Sequence, residues 1–209
     1  MVLAHFPLIQ RMALTKLPPT VLAAVISACA AEPVLLNSER IEKRFGSYGV
    51  DVLASGAGLR RSSLFSVHDN QRVCRTYAVA RFADQLDDHY GDEHAKVLAG
   101  NSIGAVFKSR DWNIHKQTLH IGSLNLLPAN RTISDLMKIG TPRRVAVHVY
   151  QLLLVRDTQV FEDATILEAH HPEYLSEGDL YELYEYDTKN ALPDMAAREF
   201  AALALEHAN

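Results

Sequence analysis

From Arg60 to Phe82 apolar and polar side chains alternate with a period of two. Leu64, Phe65 and Val67 lead into Asp69 and Asn70, beyond which Val73, Arg75, Tyr77 and Val79 alternate with Cys74, Thr76, Ala78 and Ala80. Such alternation interrupted by two turn-forming residues predicts a β-hairpin. A second hairpin is predicted further along. Val145, Val147 and Val149 alternate with Ala146, His148 and Tyr150 before Leu152 to Leu154, and the chain turns at Arg156, Asp157 and Thr158. The return strand, Gln159 to His170, places Val160, Glu162, Ala164, Ile166, Glu168 and His170 on one face. Ile114 to Gly122 reads as another strand, and Val50 to Leu53 as a short extended piece that the flexible run Ser55 to Gly58 breaks.

Helices are predicted elsewhere. Asn37 or Ser38 can cap a helix through Phe45, with Ile41 and Phe45 four apart on one face. Gly100, Asn101 and Ser102 lead into a short helical segment through Ile103, Val106 and Phe107, and Pro193-Asp194 opens another with Met195, Phe200 and Leu203. Asp84 to Glu93 reads as a solvated acidic connection, and Asn125 to Arg144 as a polar connector. Hairpins with helices held apart give the α+β class, a single antiparallel sheet flanked by helices, and not a βαβ arrangement.

Composition adds bounds. The 209 residues, 48% hydrophobic and 22% charged, suit one globular domain, and a net charge of -4 argues against a large surface for nucleic acid. The two cysteines, Cys29 and Cys74, have no metal-ligand spacing, so neither structural zinc nor a disulfide framework is expected.

The N-terminal segment stands apart. Its first acid is Glu32, and Arg11 and Lys16 precede an apolar run from Thr20 to Ala28 that ends in small residues before Cys29. The order basic, apolar, small is that of an export signal, and Ile26 to Cys29 resembles a bacterial lipoprotein cleavage box that would leave Cys29 lipidated. Met12 is a better start for such a signal than Met1. A buried helix opened by Pro18 and Pro19 is the other reading. The run is too short to span a bilayer as a helix, so any membrane contact is expected through a lipid anchor at Cys29. Export and a cytoplasmic location both stay open. The expected divisions are a signal segment or helix over 1–29, a main domain over 33–175, and an acidic, tyrosine-rich tail with a C-terminal helix over 176–209, whose tyrosines are expected to pack against the sheet.

Several motifs fall short of chemistry. Gly100 to Lys108 lacks the spacing of a phosphate loop, and Ser62 and Ser63 lack the context of a hydrolase nucleophile. Glu168, His170 and His171 do not form a metal set, since adjacent strand residues face opposite ways. His148, within an apolar strand, reads as a hydrogen-bonded core residue. Arg61 and Glu168 are the informative charges. Each lies on a strand face beside apolar residues, and a charge in such ground needs a partner.

At these residues the chain resembles the chorismate lyase family. The likeness runs through Ser38 to Phe45, Arg61 to Thr76, Ser102 to Gly122 and Gln159 to Leu175, in family order and over less than half the chain. It implies a single antiparallel sheet flanked by helices, and elimination of pyruvate from chorismate to leave 4-hydroxybenzoate without metal or cofactor. It also implies that Arg61 clamps the ligand carboxylate, that Glu168 is the catalytic acidic residue at the opposite end, that Ile41 is an apolar wall, and that Ile103 offers a backbone donor. A slip of one residue in register would put Arg60 on the ligand face in place of Arg61. The departures are Leu167 before the glutamate, where a threonine is common in the family, the long connector and the unmatched tail. The expected partner is therefore a small aromatic carboxylate. An exported lipoprotein of the same fold that binds without catalysis is the alternative, and a ligand-sensing module of the kind attached to bacterial regulators is a third.

Overall fold

In a computed structural model of the chain, residues 35–56, 58–83, 88–157 and 159–186 are described. Cys29, the export-like run and the helix expected after Pro193 lie outside them. Six strands form one antiparallel sheet: β1 (Gly49–Gly56), β2 (Leu59–His68), β3 (Gln71–Phe82), β4 (Asn113–Leu126), β5 (Arg143–Arg156) and β6 (Gln159–His170). Their spatial order is β1-β2-β3-β6-β5-β4, so the two long hairpins lie side by side with β3 and β6 at the centre. Both hairpins turn at the expected residues, with Asp69, Asn70 and Asp157 at positive φ, where short polar side chains are tolerated. β1 runs through Ser55 to Gly56, further than the flexible run suggested, because it pairs with β2 as far as Gly56 opposite Leu59.

The helices are α1 (Asn37–Phe45), α2 (Gly91–Leu98), α3 (Ile103–Lys108), α4 (Arg131–Met137) and α5 (Glu177–Leu183). Two correct the connectors expected from polarity. The acidic connection passes into α2, where Glu93, His94 and Val97 are buried. The polar connector contains α4, which sends Ile133 and Met137 into the core beside Val145, Val147, Val149 and Leu167. Each helix is short, and its few inward residues are the only amphipathic signal in a polar window.

The two sheet faces carry different cores. One packs against α4. The other gathers Tyr90, Val97, Phe107, Trp112, Leu152, Leu154 and Ile166 beneath α2 and α3. Fully burying one such large apolar side chain stabilises the fold by roughly 1.5–3 kcal/mol. Edge-to-face contacts link Tyr90, Phe107, Trp112 and Phe161, with centroids 5.7 to 6.4 Å apart. The beginning of the tail belongs to this body: Leu180 of α5 is buried on Ile121 and Ala146, with Tyr181, Tyr184 and Tyr186 packed around it. Gly46 ends α1 at φ +76°, a conformation that glycine adopts without steric cost.

Candidate functional site

A cavity of about 80 Å³ lies between the α2/α3 face of the sheet and α1. That is several times the roughly 10–15 Å³ one water requires, so it has room for a small molecule. Its walls are apolar, from Leu36, Val50, Leu64, Ala78, Ala80, Ile103, Ile114, Leu152 and Ile166. Its polar lining is divided: Arg60, Ser62, Tyr48 and Ser102 on one side, and Glu168, Lys116, Tyr150 and Asn37 on the other.

Period two decides which side chains arrive there. Ala78 pairs with both Ser62 and Glu168, and Ala80 pairs with Arg60, so Arg60, Ser62 and Glu168 share one face. Arg61 pairs with Val79, which pairs with Leu167, and both belong to the opposite core. The expectation that Arg61 faces the ligand is therefore corrected. Arg61 projects on the α4 side near Tyr77, whose hydroxyl it holds partly in check against burial. Arg60 occupies the ligand side. Ile41 is corrected too: it is fully buried on α1 but does not border the cavity, and the cap residue Leu36 with Asn37 and Ser38 of α1 borders it in its place. Ile103 and Glu168 do line the cavity.

Arg60 is 3% exposed. Its Nε donates to Ser62 Oγ at 3.0 Å, and Nη1 donates to the carbonyls of Val97 and Asn101, each at 2.8 Å. Nη2 reaches only the Gly100 carbonyl, at 3.5 Å. Three of the five guanidinium N–H groups are thus spent, two on tying the end of α2 and the α2–α3 connection to the sheet and one on Ser62 of the same strand, and the Nη2 donors are nearly free. Among the described residues no carboxylate pairs with Arg60, and burial pulls its pKa down against the influence of Tyr48. The Tyr48 hydroxyl is buried close to Ser102 without completing a well-formed hydrogen bond. A buried cation lacking a counter-ion, beside an unsatisfied hydroxyl, is ground that favours an anion.

The other end is organised around Glu168, 4% exposed. Its Oε1 accepts from Asn37 Nδ2 at 3.2 Å and from the Tyr150 hydroxyl at 3.1 Å, and Oε2 accepts from Lys116 Nζ at 3.2 Å. Burial pushes its pKa up, but Lys116, His170, His148 and Arg40 together outweigh this and hold it at about 2. Glu168 is an ionised, acceptor-only group at neutral pH. Burial and then Glu168 itself push Tyr150 well above its ordinary value, so that hydroxyl remains a donor.

A further layer fixes these groups. Asn37 Nδ2 also donates to Thr76 Oγ1 at 3.1 Å, and the Tyr174 hydroxyl donates to Asn37 Oδ1. Thr76 Oγ1 lies 3.1 Å from His170 Nδ1, and burial brings His170 down to about 4, so the ring is neutral near pH 7. Its Nε2 stands 3.9 Å from Glu168 Oε2. His171 faces away from that cluster, with Nε2 3.0 Å from the Met137 carbonyl. His148 is fully buried, as a core histidine would be, with Nε2 3.0 Å from Thr118 Oγ1 and its ring 4.1 Å from that of Tyr184. Tyr184, just beyond α5, accepts from Arg40 Nη2 at 3.0 Å and closes this end. Among the described residues no group of three or more His, Cys, Asp and Glu could hold a metal.

Sequence reasoning missed Asn37, Lys116, Tyr150 and Tyr184. Asn37 looked like a helix cap, yet α1 is capped at Leu36, whose backbone N–H donates to Glu39, and this leaves the Asn37 amide to turn inward. A visible signal existed for Lys116: it shares a strand face with Ile114 and Thr118. A lysine on an apolar face needs an anion.

The fold is α+β, and the candidate site is a cavity against one sheet face with polar groups gathered around Arg60 and around Glu168. Comparison with protein-family models, with curated proteins and with solved structures finds no match.

Proposed function

We propose that the cavity binds a small aromatic carboxylate and that the chain is a chorismate-lyase-like protein, eliminating pyruvate from chorismate to give 4-hydroxybenzoate. The observation that carries this reading is the presence of Arg60 and Glu168 in one cavity with apolar walls between them. In this reading Arg60 Nη2 and the Tyr48 hydroxyl meet the ligand carboxylate, the apolar walls cover the ring faces, and Glu168 accepts the hydroxyl of the far end.

In the elimination the hydrogen on the hydroxyl-bearing ring carbon passes to the methylene carbon of the neighbouring enolpyruvyl ether while the ring C–O bond breaks. The electron pair of that bond forms the carbonyl of pyruvate and the C–H pair completes the aromatic ring, so no external base is consumed. A carboxylate held near pKa 2 is a weak base, so Glu168 serves better as a fixed acceptor that orients the ring than as the group that removes this proton. Aromatisation drives the step, and positioning within a shaped, water-poor cavity supplies the remaining assistance.

Purified protein incubated with chorismate and followed by a pyruvate-coupled assay tests the reading. Stoichiometric pyruvate and 4-hydroxybenzoate are expected. Calorimetric binding of 4-hydroxybenzoate without any pyruvate would retain the ligand class and reject the reaction.

A further inference from the structure

Lys116 lies on β4 opposite Leu152, and its side chain, 15% exposed, borders the cavity beside Glu168. Its ammonium sits 4.3 Å from the centroid of the Tyr150 ring, a cation–π contact that fixes it against the wall. Of its three N–H donors one serves Glu168 Oε2 at 3.2 Å, and a second reaches the Tyr184 hydroxyl at a longer 3.4 Å. One donor is left. Glu168 is similarly part-used: Oε1 accepts two hydrogen bonds, Oε2 accepts one, and an acceptor site on Oε2 remains. An unspent donor and an unspent acceptor therefore stand together on one wall. Of the other polar groups of this end, Asn37 is held by Thr76, Tyr174 and Glu168, while Arg40 Nε and Nη1, His148 Nδ1 and His170 Nε2 make no hydrogen bond but belong to residues that do not border the cavity.

We propose that Lys116 is a specificity-determining residue which, with Glu168, reads a hydroxyl in both of its hydrogen-bonding roles at the end of the ligand opposite its carboxylate. The inference rests on the aromatic-carboxylate reading above. A phenolic or alcoholic hydroxyl donates to Glu168 and accepts from Lys116. An arylamine donates to Glu168 as well, but its lone pair is conjugated into the ring and leaves the ammonium donor unmet. An unsubstituted ring meets neither. Leaving a desolvated charged donor without a partner costs more than a hydrogen bond gains, so the discrimination is expected to be large.

Calorimetry at pH 7.5 with benzoate, 4-hydroxybenzoate and 4-aminobenzoate tests this. In the unaltered protein 4-hydroxybenzoate is expected to bind at least about tenfold more tightly than 4-aminobenzoate. In Lys116→Met that preference should shrink to within about threefold, while benzoate affinity moves by less than about threefold. Equal weakening of all three ligands would make Lys116 a merely structural residue and overturn the proposal. The comparison in the unaltered protein needs no variant: a hydroxyl-to-amine preference under about threefold also overturns it, even if Lys116→Met fails to fold. Absence of binding by all three ligands to the unaltered protein would mark the failure of the underlying aromatic-carboxylate reading instead.

Discussion

Arg60 and Arg61 are adjacent on β2 and project from opposite faces of the sheet, Arg60 into the cavity and Arg61 toward the α4 side. Arg60→Ala is therefore expected to weaken 4-hydroxybenzoate binding by roughly tenfold or more, the scale of a charged hydrogen bond. Arg61→Ala should change it less than about twofold. Because Arg60 also holds the Val97 and Asn101 carbonyls, Arg60→Ala should lower Tm as well. Calorimetry together with thermal melts separates the two effects, and equal binding losses in both variants would reject the assignment of faces.

The acid limb of stability should be carried by the cluster around Glu168. His170 has its pKa depressed, from 6.5 to about 4, so the unfolded chain binds the proton more readily. Stability is then full above about pH 6.5 and declines as the pH falls toward 4. Glu168, lowered from 4.5 to about 2, adds a second loss below about pH 4.5, as the unfolded state protonates first. His148 is shifted in the same direction as His170, again chiefly by burial. Melts across pH 7 to 4 should show Tm falling by on the order of 5–10 °C. His170→Asn should flatten that slope, and an unchanged slope would place the titrating groups elsewhere.

Phe107 is fully buried and meets Tyr90 and Trp112 edge-on beneath α2 and α3. Phe107→Ala is expected to cost about 3–5 kcal/mol in urea unfolding, from lost burial and the void left behind. A value below about 1 kcal/mol would mean that the aromatic cluster is not a rigid support for the cavity.

Much of the sheet was legible because each long strand repeats every two residues and each long hairpin has an Asp at its turn. Glu168 was legible for a related reason, being an acid on the face of Ala164 and Ile166. The arginine was ambiguous because Arg60 and Arg61 stand together, and only pairing with Ala80 or Val79 distinguishes them. Ile41 was misplaced because the resemblance alone assigned it to the ligand wall, whereas the cavity meets only the start of the helix. Asn37, Lys116 and Tyr150 converge on Glu168 from α1, β4 and β5, with separations of 131, 52 and 18 residues. No local pattern encodes such a meeting. Both Asn37 and Tyr184 also sit at helix ends, where a polar residue reads first as a cap or as surface.

The Asn37 amide is the clearest test of that convergence. It donates to Glu168 Oε1 and Thr76 Oγ1 while its oxygen accepts from Tyr174, so it joins α1 to β3, β6 and the segment after β6. Asn37→Asp keeps the shape and replaces the donating nitrogen by an oxygen, placing a second carboxylate about 3 Å from Glu168. Two buried carboxylates at that separation cannot both stay ionised, so one must take up a proton on folding. At pH 7 the variant should be destabilised by several kcal/mol relative to the unaltered protein. The sign of its pH dependence should be opposite to that of the native cluster. A proton is bound in the folded variant and not in its unfolded chain above about pH 4.5, so the deficit should narrow as the pH falls from 7 toward 5. Urea unfolding of both proteins at pH 7, 6 and 5 measures this, and a deficit that stays constant or widens would mean that Asn37 does not face an ionised Glu168.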